Sequence, residues 1–175
     1  ASNNRDNTRT QSAVVDIDLE KMTAGFTANV SLTGQFSTLG RSSYLYDICD
    51  ETVNPLYCKK IWEGISPGIS PEKFEVKGVR QDFPFKAEFD VRFRARDILT
   101  KSNDTIFLDL KGWFCHIVDK NLDADKRMLT YYPDFQYTDA YNYKIVFSDK
   151  VKLLDKMPLI DIQNAYGNMA VRCFQ

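Results

Sequence analysis

The side chains of this chain with bond-making chemistry are one histidine, four cysteines and three groups of carboxylates. His116 directly follows Cys115. On a strand, neighbouring side chains leave opposite faces, so this pair does not itself make a nucleophile and its base. No G-x-S-x-G turn accompanies a Ser-His-Asp arrangement either. His116 therefore reads as a partly buried ring satisfied by the backbone, and the chain as a non-enzyme without a cofactor.

The metal-binding options are equally thin. A single histidine and no C-x-x-C pair do not spell a zinc site. The acids fall in groups: Asp16 and Asp18; Asp47, Asp50 and Glu51; Asp119, Asp123 and Asp125. The last group has the outline of a calcium loop. It lacks the glycine of the sharp turn and the closing glutamate, and Lys120 sits among the acids, so no metal is expected there. Cys49 and Cys58 flank a turn. They form a disulfide in an oxidising compartment or stay as buried free thiols, and the residues leave both open.

Two patterns bear on binding. Lys86, Arg92, Arg94 and Arg96 share one face of a strand, with about 7 Å between successive side chains. Glu88 and Asp90 interrupt that line, which predicts a solvated face neutralised by cross-strand partners rather than a polyanion track. The string Tyr131-Tyr132-Pro133-Asp134-Phe135-Gln136-Tyr137, continued by Tyr141 and Tyr143, is rich in rings. Such rings pack inside β-sandwiches, the reading preferred here. Alternatively Trp62, Trp113, Tyr131, Tyr132, Tyr137 and Tyr141 act as stacking platforms for carbohydrate. The sequons Asn29-Val-Ser31 and Asn103-Asp-Thr105 are too short to carry weight.

The elements that hold these residues are strands. Across Lys86–Arg96, Ala87, Phe89, Val91, Phe93 and Ala95 alternate with six charged residues. That period of two predicts a strand with one dry and one wet face, and hence an antiparallel sheet with one buried side. A hairpin is predicted from Ala13 to Thr33: Ala13, Val15, Ile17 and Leu19, a short Glu20-Lys21-Met22 connection, then Ala24, Phe26, Ala28, Val30 and Leu32. Further strands are expected at Lys73–Val79, Thr105–Lys111, Tyr137–Ser148, Val151–Leu154 and Ala165–Cys173. Asn54-Pro55 reads as a helix start with Gly64 as its stop, and Thr38–Asp47 as a weaker helix, so short helices over residues 38–64 should lie on one sheet face.

The chain has 175 residues, 43% of them hydrophobic, which is ample for a core. Its 23 basic and 24 acidic residues give a net charge of −1, so no global field draws it to nucleic acid or anionic lipid. No stretch reaches the roughly 20 apolar residues of a membrane-spanning helix. The expected organisation is a flexible segment over residues 1–12, a β-rich module with a helical insertion over 13–118, and either a smaller β module or a continuation of the same sandwich over 119–175.

In the order of its elements the chain resembles the β-rich region C-terminal to the transglutaminase-like core in large secreted proteins of Bacteroidetes-type bacteria. The likeness runs through the hairpin Val14–Thr33, Gly34 and a helical segment to Arg41, Phe74–Val79, Asp82–Val91 and Thr105–Leu110. It continues through Lys126-Arg127, Tyr132-Pro133, the strand Tyr137–Phe147 and the turn Met157-Pro158. The resemblance implies a non-catalytic accessory or interaction domain, secreted or periplasmic, with a neighbouring catalytic domain or protein as partner. The core's Cys, His and Asp have no counterpart among these positions. The family's last domain runs on with further strands beyond a point such as Gln175, so an incomplete sheet with an open, pairing-prone edge is expected.

Overall fold

The computed structural model describes residues 7–37, 68–80, 86–110, 137–154, 159–164 and 167–174. The chain is mainly β, and its described residues carry nine strands: β1 (Thr8–Asp18), β2 (Thr23–Thr33), β3 (Ser70–Arg80), β4 (Lys86–Ala95), β5 (Leu99–Ser102), β6 (Thr105–Leu108), β7 (Thr138–Phe147), β8 (Ile160–Asn164) and β9 (Gly167–Val171). Five of them form one sheet in the order β3-β4-β2-β1-β7; β5–β6 and β8–β9 are separate two-stranded ribbons.

Alternation of polarity builds the large sheet. In β4 the residues Ala87, Phe89, Val91, Phe93 and Ala95 are all buried. The register sets Phe93 opposite Phe26, Val91 opposite Ala28 and Ala87 opposite Leu32, and Val15 faces Phe26 from the other side. One face of the sheet is therefore dry across three strands, because opposed residues of an antiparallel ladder share a face. Phe26 and Phe93 stack with ring centroids 4.6 Å apart. Ile98, Leu99, Ile106, Leu108 and Leu110, from and around the β5–β6 ribbon, join this core.

The β1–β2 connection is Leu19–Met22, with Met22 in the left-handed region at φ 52°. Asp18 fastens it, accepting from the Lys21 backbone N–H at 2.9 Å and pairing with Lys21 Nζ at 2.7 Å. The Lys21 side chain holds the Asp18 carboxyl below its ordinary range, and the same contact raises the Lys21 ammonium.

Several expectations require correction. Residues 8–12, expected as part of a flexible segment, belong to β1. Polar bonds rather than apolar burial hold them: the Thr8 N–H donates to Thr33 Oγ1 at 3.0 Å, and Gln11 Nε2 donates to Tyr143 Oη at 2.9 Å. The sheet is not wholly antiparallel, since β7 runs parallel to β1 from Thr8–Thr138 to Ile17–Phe147. Parallel neighbours cannot be joined by a tight turn, and five other described strands separate β1 from β7 along the chain. Strands from both sides of position 118 thus build one sheet. Val151–Leu154 is not a strand, and β8 arises where none was expected. A helical turn follows β2 over residues 34–37. The helices expected over 38–64 lie outside the described residues.

Candidate functional site

The two faces of the large sheet offer different chemistry. On the inner face, where β1 and β7 enter the sheet, the register brings Arg9 opposite Asp139 and Gln11 opposite Tyr141. The Arg9 guanidinium grips the carboxylate with both prongs, Nε to Oδ1 at 2.9 Å and Nη2 to Oδ2 at 2.7 Å. Asp139 is only 8% exposed, so this is a largely desolvated, forked pair of the strong kind. The guanidinium lies over the rings of Phe36 and Tyr141, 5.2 and 5.9 Å from their centroids, where the negative ring faces attract it.

Tyr137 and Tyr141 are thereby accounted for. Tyr137 meets Phe36 edge-on at 5.3 Å, and Tyr141 stacks alongside Tyr143 at 6.3 Å. Both are half-buried on the inner side and do not form a platform in solvent. Burial pushes the Tyr143 phenol well above the ordinary tyrosine range, with the Arg9 charge acting in the other direction. The chemistry here is cohesion: the cluster fastens β7 to β1. The other residues singled out in the sequence, Trp62, Trp113, Tyr131, Tyr132, His116, Cys49 and Cys58, lie outside the described residues. Cys173 is free and exposed.

The outer face holds a recess of about 410 Å³. Its floor is made by the short outward side chains of the central strands, Ser12 and Val14 on β1 with Thr27 and Asn29 on β2. Arg92 of β4 and Lys144 of β7 stand on either side, and Asn142 borders it. The register puts Lys144, Val14, Thr27, Arg92 and Lys73 in one row across the sheet. Arg92 and Lys144 are three strand spacings apart, about 14 Å between backbones. The next row carries Asn142, Ser12, Asn29, Asp90 and Glu75.

Many charges on this face are paired, within a strand as well as across strands; in the line Lys86, Arg92, Arg94 and Arg96, Arg94 has a cross-strand partner, while Lys86 pairs along its own strand. Lys73 pairs with Glu75 at 2.6 Å, Lys77 with Glu75 at 2.9 Å and Asp90 at 3.1 Å, Lys86 with Glu88 at 2.6 Å, and Arg94 with Glu72 at 3.1 Å. Asn29 donates to Asp90 at 2.9 Å, and this bond together with Lys77 lowers the Asp90 carboxyl. Glu75 is lowered by Lys73 and Lys77. Among the described residues, Arg92 and Lys144 take part in no ion pair.

Sequence reasoning placed Arg92 on the wet face but did not bring Lys144 and Asn142 to the same recess. Nothing in the local pattern of β7 announces that it lies parallel to β1. Among the described residues, no group of three or more His, Cys, Asp or Glu side chains is placed to hold a metal ion, and no helix is long and apolar enough to cross a membrane.

A third feature is apolar. The β8–β9 ribbon opposes Ile160 to Val171 and Ile162 to Met169, all on one face, with Asp161, Gln163, Asn168 and Ala170 on the other. Ile162 and Met169 remain 52% and 49% exposed. Val151, Leu153, Leu154, Leu159 and Phe174, from the flanking segments, are exposed as well. Compared with protein-family models, curated proteins and solved structures, the chain matches none.

Proposed function

We propose that this chain is a non-catalytic interaction module: an accessory domain, secreted or periplasmic, that binds another polypeptide, in keeping with its resemblance to the regions that follow transglutaminase-like cores. The observation that carries this reading is the uncovered apolar face of the β8–β9 ribbon. A two-stranded ribbon by itself is barely stable in water. An amphipathic one flanked by further exposed apolar residues gains from being covered, and contiguous patches of that kind mark protein contact sites. The wet face of the large sheet adds support, because among its described side chains the acids and bases are mostly paired with one another.

A photo-cross-linking residue placed at Met169, in the organism that makes the protein, tests the proposal. One defined polypeptide joined through position 169, and lost when Ile162→Asp polarises the face, is the expected result. Cross-links to nothing, or to many unrelated proteins unaffected by Ile162→Asp, would overturn it. The carbohydrate alternative loses Tyr137 and Tyr141 as stacking rings, since both are spent in packing around Arg9.

A further inference from the structure

We infer that the recess on the outer face of the large sheet binds a carboxylate-bearing sugar, of the uronic acid type. This site is separate from the β8–β9 ribbon and does not depend on the reading given above. The wet face carries Lys73, Lys77, Lys86 and Arg94, each paired to an acid. Three cations line the recess, Lys73, Arg92 and Lys144; Lys73 is held by Glu75, whereas Arg92 and Lys144, on opposite sides, have no such partner among the described residues. A guanidinium is matched in shape to a carboxylate and binds it through two parallel hydrogen bonds. Both long side chains can lean over the short ones between them, so one anion held above Thr27 lies within reach of both.

The surroundings select the rest of the ligand. The hydroxyls of Ser12 and Thr27 and the amide of Asn142 offer donors and acceptors beside the cations, and Asn29, whose amide N–H is given to Asp90, offers its oxygen. That is the complement of a hydroxyl-rich ring. No aromatic side chain lines the recess, so recognition there is polar rather than by stacking. A long polyanion is disfavoured: Asp90 lines the recess, its carboxylate held by Asn29 and Lys77, with Glu75 beside it in the same row and Asp16 in the row on the other side, about 7 Å along the strand from Val14. The recess volume of about 410 Å³ falls at the small-ligand end of binding sites.

The test is a titration of the whole, isotope-labelled chain with trigalacturonate, followed by backbone amide shifts. Two comparison ligands are the fully methyl-esterified trimer and glutarate, a carboxylate without a sugar. Saturable shifts at Thr27, Asn29, Arg92, Asn142 and Lys144 are expected, with affinity about tenfold or more weaker for the ester and for Arg92→Gln or Lys144→Gln. Both substituted positions are exposed, and the ester comparison reads the same interaction with the chain unaltered. Equal binding of the ester would overturn the inference, as would equal binding of glutarate, which would leave a bare carboxylate site. Absence of saturable shifts with trigalacturonate would also overturn it.

Discussion

Arg9→Ala removes one half of the forked pair that fastens β7 to β1. Asp139 loses two charge-assisted bonds, at 2.9 and 2.7 Å, and keeps a carboxylate that is only 8% exposed. Stranding a buried charge in this way costs about 3–5 kcal/mol. The lost packing of the guanidinium over Phe36 and Tyr141 adds to it. Against a total stability of order 5–15 kcal/mol this is a large fraction. At about 2–4 °C per kcal/mol for a chain of this size, the melting temperature should fall by roughly 6–20 °C. Urea unfolding followed by circular dichroism measures the loss, and hydrogen exchange across Thr138–Phe147 shows whether β7 is the element loosened. The combined change Arg9→Met and Asp139→Leu leaves no charge behind and should recover most of the stability. A cost for Arg9→Ala below about 1 kcal/mol, or a double variant as unstable as the single one, would refute the reasoning.

Two further outcomes follow from the core and from titration. Phe93→Ala empties half of a fully buried ring stack at 4.6 Å; a loss of about 3–5 kcal/mol is expected in the same urea assay. The Tyr143 phenol has its pKa raised by burial above the ordinary 10.0. A raised pKa stabilises the fold fully below the unfolded value, and that contribution fades as pH climbs past 10.0. Alkaline unfolding should therefore be shallower in Tyr143→Phe, and in the parent chain the last phenolate absorbance should appear together with loss of the sheet.

Much of the sheet was legible because its code is local. The alternation of Lys86–Arg96 states which residues of β4 are buried, and the hairpin Ala13–Thr33 states its own pairing within a few residues. Tyr141, Tyr143, Ile145 and Phe147 were correctly placed on one face for the same reason: they are half-buried, and the last three pack against the core. What alternation cannot report is who lies beside whom across a long connection. The parallel seam between β1 and β7 is such a relation, and with it went the Arg9–Asp139 fork, the placing of Lys144 in one row with Arg92, and the membership of residues 8–12 in the sheet. Those residues are polar, so a pattern of burial passes over them. The β8–β9 ribbon escaped for a related reason. Its apolar residues are not buried, and Ile160, Ile162, Met169 and Val171 show their common face only once the strands are paired.

One face of the large sheet is dry and the other wet, which makes adjacent residues of β4 opposites in consequence. Unfolding of Val91→Asp and Arg92→Asp compared side by side tests it most directly. Val91 is 3% exposed whereas Arg92 stands in solvent. Val91→Asp is expected to lose several kcal/mol, enough to unfold much of the population, because an unpaired carboxylate enters the core. Arg92→Asp should stay within about 1 kcal/mol of the parent chain. Equal losses at the two positions, or a greater loss at Arg92, would contradict it.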